Sequence, residues 1–199
     1  DPRGAPARPR IAVVFGEVRR EAAGPLAAAM GLPDPEALQR RFDDGRRCFA
    51  AWDGVRIAAY GWASQGHESV GELERTFRMQ PGEAYIWDCV TLPDYRGQGL
   101  YSALLGYMLA ELRSVGVGRV WIGASLDNQP SIKGFVNAGF QPVIELTYVR
   151  VLGLRCSWMR RKPGAPASLV AAAHRMISAD DERPLGPLLV GIGQGSDER

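Results

Sequence analysis

The chain contains few of the residues that build cross-links or metal centres. Its 199 residues include only two histidines and three cysteines, Cys48, Cys89 and Cys156. The cysteines are odd in number and widely spaced, and the sequence has no CxxC pair and no Cys/His cluster. This pattern argues against a disulfide framework and against a structural metal site, so we expect no metal. Reduced, scattered cysteines are typical of a cytoplasmic protein.

Long apolar runs and a charge excess are also missing. No segment reaches the roughly 20 apolar residues that a membrane-spanning helix requires, and the first residues lack the apolar stretch of a signal peptide. Lysine and arginine number 24 against 22 aspartate and glutamate, which gives a net charge of +2. Because the charge is so balanced, we expect neither nucleic acid nor a membrane as the main partner.

The order of the predicted elements indicates a mixed sheet with helices on both faces. Strands are predicted over 10–18, 47–52, 55–64, 84–92, 120–124, 140–151 and 154–161. Helices are predicted over 19–31, 33–42, 100–115, 128–138 and 167–178. The segment 65–82 is ambiguous and could extend a strand. We expect a disordered segment at 1–9, one domain over 10–162, and a C-terminal extension over 163–199 that holds the last helix and a flexible tail.

The most informative segment is 96–101, with the sequence Arg-Gly-Gln-Gly-Leu-Tyr. It lies between the apolar strand at 84–92 and a helix with a regular apolar stripe. Its two glycines remove side-chain bulk, so that successive backbone N–H groups can point at one spot. The start of the helix adds the positive end of its dipole. The segment therefore predicts a site for phosphate or pyrophosphate, although alone it would also suit an ordinary strand-to-helix turn.

This turn and a second motif resemble the GCN5-related N-acetyltransferase (GNAT) superfamily. Arg96 and Gly99 match the first two fixed positions of the family's Arg/Gln-x-x-Gly-x-Gly/Ala turn, whereas Tyr101 stands where Gly or Ala is usual. The family's downstream spacing of Asn, a small residue, Tyr, Gly and Phe is matched by Asn128, Ser131, Phe135, Gly139 and Phe140. The two motifs cover about the central third of the chain.

The resemblance implies a fold and an activity. The GNAT fold is an α/β (α+β) architecture with a mixed, mostly antiparallel sheet of about seven strands, helices on both faces, and a splay between its fourth and fifth strands. The implied enzyme transfers an acetyl group from acetyl-CoA to a primary amine of a small molecule, such as an amino sugar or an amino acid. The transfer would be a direct attack in a ternary complex, and we expect a monomer or a homodimer.

The resemblance also implies which residues bind the cofactor. The pyrophosphate would bind backbone N–H groups of Arg96, Gly97, Gln98, Gly99, Leu100 and Tyr101. The peptide-like pantetheine arm would pair with the strand edge at Cys89, Val90, Thr91 and Leu92, where a backbone N–H can also hold the oxyanion. The next helix would contribute Asn128, Ser131 and Phe135.

The general acid is the first open question. In many family members a helix tyrosine protonates the departing thiolate, but the matching residue here is Phe135, which has no proton to donate. Tyr101 is a candidate replacement, although it could also serve only in packing or in a phosphate hydrogen bond. Unassisted departure is a further alternative, because a thiol with a pKa near 8.5 is already a fair leaving group.

The general base is the second open question. Asp88 lies among apolar strand residues, where partial desolvation would raise its pKa toward a useful range. The alternative for Asp88 is a structural role, with its carboxylate satisfied by backbone or arginine. Glu83 could be a base or a solvated turn residue, and Glu72 and Glu74 are further options. Cys89 could reach a substrate, but a buried cysteine is usually inert packing.

Two other functions stay open on the sequence. A fold without the tyrosine at position 135 could bind acyl-CoA as a non-catalytic sensor. Alternatively, Tyr101 could narrow the turn and favour a longer acyl-CoA or an acyl carrier protein as donor. Free-thiol release across a panel of amines would separate an enzyme from a sensor.

Overall fold

A computed structural model describes residues 8–151, 154–178 and 189–192. The described chain falls into two compact units. The first unit contains the described residues up to Gly66 together with Met79–Phe140, and the second contains His67–Arg78 with the described residues from Gln141 onward. No helix in these ranges is long and apolar enough to span a membrane.

The elements follow one another much as the sequence predicts. The strands are β1 (Val14–Val18), β2 (Arg47–Asp53), β3 (Arg56–Ser64), β4 (His67–Val70), β5 (Arg75–Arg78), β6 (Glu83–Thr91), β7 (Arg119–Ile122), β8 (Ile144–Val151), β9 (Leu154–Arg161) and β10 (Leu189–Ile192). The helices are α1 (Ala23–Met30), α2 (Gln39–Asp43), α3 (Leu100–Ser114), α4 (Gln129–Asn137) and α5 (Ala167–Ser178).

A five-stranded sheet forms the centre of the first unit, in the order β1-β2-β3-β6-β7. The first three pairings are antiparallel, and β6 and β7 run parallel. The predicted hairpin between β2 and β3 is confirmed, and Gly54 in its turn has a φ of +58°, which glycine adopts without strain. The sheet is therefore mixed and mostly antiparallel.

Helices cover both faces of this sheet. Phe49 and Ala51 of β2 pack into a core with α3, whereas Cys48 and Ala50 pack into a second core with α1. Such alternation is the expected period of a strand that is buried on both faces. The stripe predicted on α3 is buried at helical spacing: Leu100, Leu104, Leu105, Met108 and Leu112.

The sheet opens between β6 and β7. These strands pair over only four positions, from Glu83 opposite Arg119 to Ile86 opposite Ile122. β7 ends there, but β6 continues to Thr91, so residues 87–91 leave one edge without a strand partner among the described residues. The two strands flank α3, so they take the places of the family's fourth and fifth strands. The splay is where the resemblance predicts it.

The second unit contains the remaining strands and α5. β8 and β9 form an antiparallel hairpin, β10 pairs parallel with β9, and β4 and β5 form a two-stranded sheet. The helix predicted at 167–178 is confirmed as α5. Residues 1–7, and most of the predicted tail beyond 178, lie outside the described residues.

The fold class is confirmed, but the strand count of the sheet differs. The described strands form sheets of five, three and two strands instead of one sheet of about seven. Local sequence patterns identify strands but not which edges pair, because that choice depends on contacts between distant residues. The predicted domain boundaries stay a prediction.

Candidate active site

The glycine turn lies where β6 leads into α3. A short 3-10 turn at Pro93–Tyr95 precedes it, and the Tyr95 hydroxyl donates to Asp53 Oδ2 at 2.9 Å, which ties this segment to the β2–β3 hairpin. Gly97 and Gly99 then adopt φ values of +75° and +77°. Such left-handed conformations strain any residue with a Cβ, so both glycines are required by the backbone path.

The first turn of α3 offers unused N–H donors. Gly99 is the N-cap residue, and no side chain of the described residues caps the helix there. The first N–H groups of a helix have no acceptor within the helix, and the helix dipole adds positive charge at this end. Arg96 is exposed beside them, and its Nε donates to the carbonyl oxygen of Thr91 at 3.4 Å. The turn is therefore suited to binding an anionic group.

A bulge in β6 shapes the opposite side of the site. Gly61 of β3 faces two residues of β6, Asp88 and Cys89, where the strand register shifts. Asp88 has a φ of +46°, a costly conformation for a residue other than glycine. A Cβ on Gly61 would lie 2.6 Å from Cys89 Sγ, so only glycine fits opposite the bulge.

The bulge reverses the side-chain alternation along β6. Before it, Ile86 packs into the α3 core and Trp87 into the α1 core; after it, Cys89 packs into the α3 core and Val90 into the α1 core. In a regular strand Cys89 would share the face of Trp87. The sequence predicted an uninterrupted strand here. The available signal was Gly61, because a glycine inside a strand often marks a bulge or a close approach.

The unpaired edge of β6 ends at a hydroxyl without a partner. Thr91 Oγ1 is buried and has no hydrogen-bond partner among the described residues. A buried polar atom without a partner is uncommon and is often satisfied by a ligand or by water. The free edge and this hydroxyl can together bind an extended ligand that carries its own donors and acceptors.

The start of α4 lies in the same unit. Asn128 is its N-cap residue, and Asn128 Oδ1 accepts the backbone N–H of Ser131 at 3.2 Å. The predicted helix start is therefore confirmed. Because the side-chain oxygen caps the helix, the amide NH₂ of Asn128 is the group left to donate to a ligand.

Tyr101, in the first turn of α3, packs against α4. Its ring stacks on Phe135, with ring centroids 6.2 Å apart and an interplanar angle of 28°. It also lies against the backbone of Gly134, where a Cβ would come within 2.4 Å of the tyrosine ring. The ring therefore fills the space that a side chain at 134 would need.

The environment of Tyr101 keeps its phenol protonated. Burial, followed by the proximity of Cys89, raises the pKa of Tyr101 to about 12, and a hydrogen bond with Ser131 opposes that rise. Cys89 of β6 and Ser131 of α4 are therefore both near the Tyr101 phenol. Tyr101 and Phe135, the two departures from the family pattern, are thus in direct contact.

Asp88 is paired with an arginine that the sequence did not indicate. Arg41 Nη1 donates to Asp88 Oδ2 at 2.6 Å, and both side chains are about one quarter exposed, at 27% and 26%. The Arg41 guanidinium also lies against a pair of mutually stacked indoles, 5.0 Å from the centre of Trp62 and 4.7 Å from that of Trp87. The alternative of an arginine partner for Asp88 is therefore the observed arrangement. Oδ1 of Asp88 accepts no hydrogen bond from the described residues.

Glu83 is held in a structural network at the other end of β6. Its side chain is 6% exposed and accepts from Arg119 Nη1. Trp121 Nε1 and the backbone N–H of Gln80 each donate to Oε2 at 3.2 Å. Five residues of strand separate Glu83 from Asp88, or about 16 Å. This placement argues against Glu83 as the base.

The other candidates contribute less. Glu74 belongs to the second unit and accepts the Tyr148 hydroxyl at 3.0 Å, and the side chain of Glu72 lies outside the described residues. Burial raises the pKa of the Cys89 thiol to about 12, so Cys89 stays a neutral thiol, as expected for packing. No three His, Cys, Asp or Glu side chains are grouped as a metal site within the described ranges.

A family model decides the identity of this arrangement. The model described as the acetyltransferase (GNAT) family matches residues 19–140, which is more than half of the chain. The chain belongs to the GNAT acetyltransferase family. The resemblance seen in the two motifs is confirmed, and with it the expectation that the chain is an acetyltransferase. No curated protein is significantly similar to the chain in sequence.

Solved GNAT structures share the fold at low sequence identity. Aminoglycoside acetyltransferase meta-AAC0020 from an uncultured soil metagenomic sample, in complex with sisomicin, is 14% identical, with 70% of this chain and 97% of that chain covered and a TM-score of 0.53. Aminoglycoside 6'-N-acetyltransferase AAC(6')-Ih from Acinetobacter baumannii is 19% identical, with 70% and 98% covered and a TM-score of 0.53. AAC(6')-Iy with a CoA-containing bisubstrate analogue is 15% identical, with 71% and 99% covered and a TM-score of 0.56.

Proposed function

We propose that this GNAT acetyltransferase transfers an acetyl group from acetyl-CoA to a primary amine of a small molecule in a ternary complex. The proposal rests on three features that the same unit contains. They are the uncapped start of α3, the unpaired edge of β6 beside the orphaned Thr91 hydroxyl, and the start of α4. An acyl-CoA has a matching sequence of groups: an anionic pyrophosphate, a peptide-like arm and a thioester.

The cofactor would lie along these features in order. Its pyrophosphate would accept hydrogen bonds from N–H groups of residues 96–101, and its pantetheine arm would pair with the β6 edge at residues 89–92. The Asn128 amide and the Ser131 hydroxyl would bond the arm from α4, with Phe135 in apolar contact. The splay would then place the thioester beside the bulge at Asp88.

The reaction needs a base and an acid. An ammonium acceptor must lose a proton before its nitrogen attacks the thioester carbonyl, and a backbone N–H of β6 can stabilise the resulting oxyanion. The tetrahedral intermediate then breaks the C–S bond and releases the CoA thiolate, which takes up a proton. The base passes its first proton to solvent and then accepts the second proton that the nitrogen must lose, so that overall one proton goes to the thiolate and one is released.

We propose Asp88 as the base, directly or through a water molecule. Arg41 holds Oδ2, which fixes the carboxylate orientation and leaves Oδ1 to accept a proton. The left-handed backbone at Asp88 supports this role, because strained residues that persist in a fold are concentrated at functional sites. Trp87 and the guanidinium of Arg41, which are both partly exposed, would then flank the acceptor.

We propose Tyr101 as the acid in place of the family's helix tyrosine. It retains its proton at neutral pH, because its pKa is raised to about 12. Its stacking on Phe135 brings the hydroxyl from α3 to the neighbourhood of the residue that lacks one. The phenol would donate to the departing thiolate and be reprotonated from solvent.

The test measures binding and turnover separately. We expect acetyl-CoA to bind the purified chain, and we expect free thiol to appear with at least one amine from a panel of aminoglycosides, amino sugars, amino acids and simple amines. Absence of acetyl-CoA binding at millimolar concentration would refute the proposal. Binding without thiol release from any amine would favour the sensor, and faster turnover with longer acyl-CoA donors would favour the alternative donor.

A further inference from the structure

The N-terminal residues 8–10, Arg-Pro-Arg, lie against the glycine turn. The backbone N–H of Arg10 donates to the carbonyl oxygen of Gln98 at 2.8 Å. The carbonyl oxygen of Arg8 lies 3.3 Å from the point that a Cβ on Gly99 would occupy. We call residues 8–10 the N-terminal strap. Arg8 and Pro9 belong to the segment 1–9 for which the sequence predicts disorder, and they contact the proposed pyrophosphate site.

The strap is anchored by the residues that follow it. Ile11, Val13 and Phe15 pack against the α3 core at every second position, while Ala12 and Val14 are exposed. Apolar contacts of this kind fix the direction in which the chain leaves the sheet. The strap therefore crosses the turn because β1 and its approach are docked on α3.

The strap contacts the turn from its carbonyl side. In a trans peptide the C=O of Gln98 and the N–H of Gly99 point in opposite directions, and the described chain has no cis peptide bond. Because Arg10 binds the carbonyl oxygen of Gln98, the N–H of Gly99 points away from that contact. The strap thus supports the turn without covering the N–H of Gly99.

Three arginines accumulate at this place. Arg8, Arg10 and Arg96 are all exposed, and none of them has an ion-pair partner among the described residues. By contrast, Arg20 is paired with Asp43 and Arg47 with Glu17. Unpaired guanidinium groups around a cluster of N–H donors create a positive potential that suits a ligand with several phosphate groups.

We propose that the N-terminal strap is part of the cofactor site and that Arg8 and Arg10 bind phosphate groups of CoA. This inference rests on the proposed function. CoA carries a pyrophosphate and a separate phosphate on the ribose 3′ oxygen. The turn supplies backbone donors for the pyrophosphate, and the strap supplies charged donors for the 3′-phosphate or for the outer side of the pyrophosphate.

The experiment measures equilibrium binding of three probes to the full chain: CoA, 3′-dephospho-CoA and pantetheine. For the double variant Arg8→Ala/Arg10→Ala we expect CoA binding about tenfold weaker and less dependent on salt, with pantetheine binding unchanged. If dephospho-CoA binds the variant and the wild type equally, the arginines bind the 3′-phosphate. If dephospho-CoA also binds the variant more weakly, they bind the pyrophosphate.

Two further variants test charge and backbone separately, and a third serves as a control. The double variant Arg8→Lys/Arg10→Lys should retain most of the CoA affinity and its salt dependence, and Arg113→Ala, at the far end of α3, should change neither. Arg10→Pro also removes the N–H that Gln98 accepts, so its CoA affinity should fall below that of Arg10→Ala. Thermal unfolding checks that each variant is folded.

The outcomes separate this inference from the function on which it rests. If the wild type binds CoA and the alanine double variant binds it equally well, the strap has no role in binding and the proposed function is untouched. If the wild type binds no CoA, the proposed function fails and the role of the strap fails with it.

Discussion

The two ends of β6 carry the same chemical group in opposite settings. At the paired end, Glu83 is buried and satisfied by donors from a side chain of β7, an indole and a turn. At the splayed end, Asp88 is partly exposed, held by a single arginine, and placed on a strained backbone. Where β6 has lost its pairing with β7 the carboxylate of Asp88 stays partly exposed, whereas that of Glu83 is enclosed where the two strands pair.

The largest expected effect is that of Gly99→Val, in the glycine turn that follows the splayed end of β6. The φ of +77° strains valine, and the new Cβ would approach the carbonyl oxygen of Arg8. We expect CoA affinity to fall by at least about 100-fold, and turnover with it. Calorimetric titration with CoA measures this. Gly116→Val carries the same kind of strain at the other end of α3 and should bind CoA normally. Normal CoA affinity of Gly99→Val would contradict the proposed position of the pyrophosphate.

The next largest effect, on kcat, is expected from Asp88→Asn at the splayed end. The amide keeps the shape and a contact with Arg41 but cannot accept the proton of an ammonium. We expect kcat to fall by about 10²- to 10³-fold while the Kd for CoA stays within about twofold. Steady-state kinetics with any active amine, alongside CoA titration, measures both. Unchanged turnover would leave Asp88 with a purely structural role.

A smaller effect is expected from Tyr101→Phe, which removes only the hydroxyl. The stacking on Phe135 should persist, so we expect CoA affinity to be retained and kcat to fall by about tenfold. Because the raised pKa of Tyr101 keeps the phenol protonated below it, the deficit should be constant between about pH 6 and 9. If Tyr101→Phe is fully active, the thiolate leaves without this acid. Partial rescue by an added Phe135→Tyr would support the proposed exchange of roles.

The smallest effect on turnover is expected at the paired end, with Glu83→Gln. This substitution should lower the stability of the fold, because it removes the buried charge that Arg119 and Trp121 bind. We expect the free energy of unfolding to fall by about 1–2 kcal/mol and kcat to stay within about twofold. Urea unfolding and steady-state kinetics measure the two quantities. A large loss of kcat in a folded Glu83→Gln would remove the contrast between the two ends.

Local signals in the sequence predicted the parts of the site that local chemistry determines. The turn between β6 and α3, the helix start at residue 128 and the stripe on α3 each depend on residues within a few positions of one another, and each is present in the fold. The bulge at Asp88, the pairing with Arg41 and the stacking of Tyr101 on Phe135 depend on contacts between separate elements. Arg41 and Asp88 are 47 residues apart. Gly61 alone hinted at the bulge, and nothing near Asp88 indicated its partner.

The contact between Tyr101 and Gly134 restricts the order in which this site could change. Any side chain at 134 collides with the tyrosine ring, so a larger residue there becomes acceptable only after position 101 has lost its aromatic ring. A lineage that moved the hydroxyl from α4 to α3 would thus have fixed a glycine at 134 before or together with the tyrosine. The two helices would therefore evolve as one unit, although thirty-three residues separate the two positions.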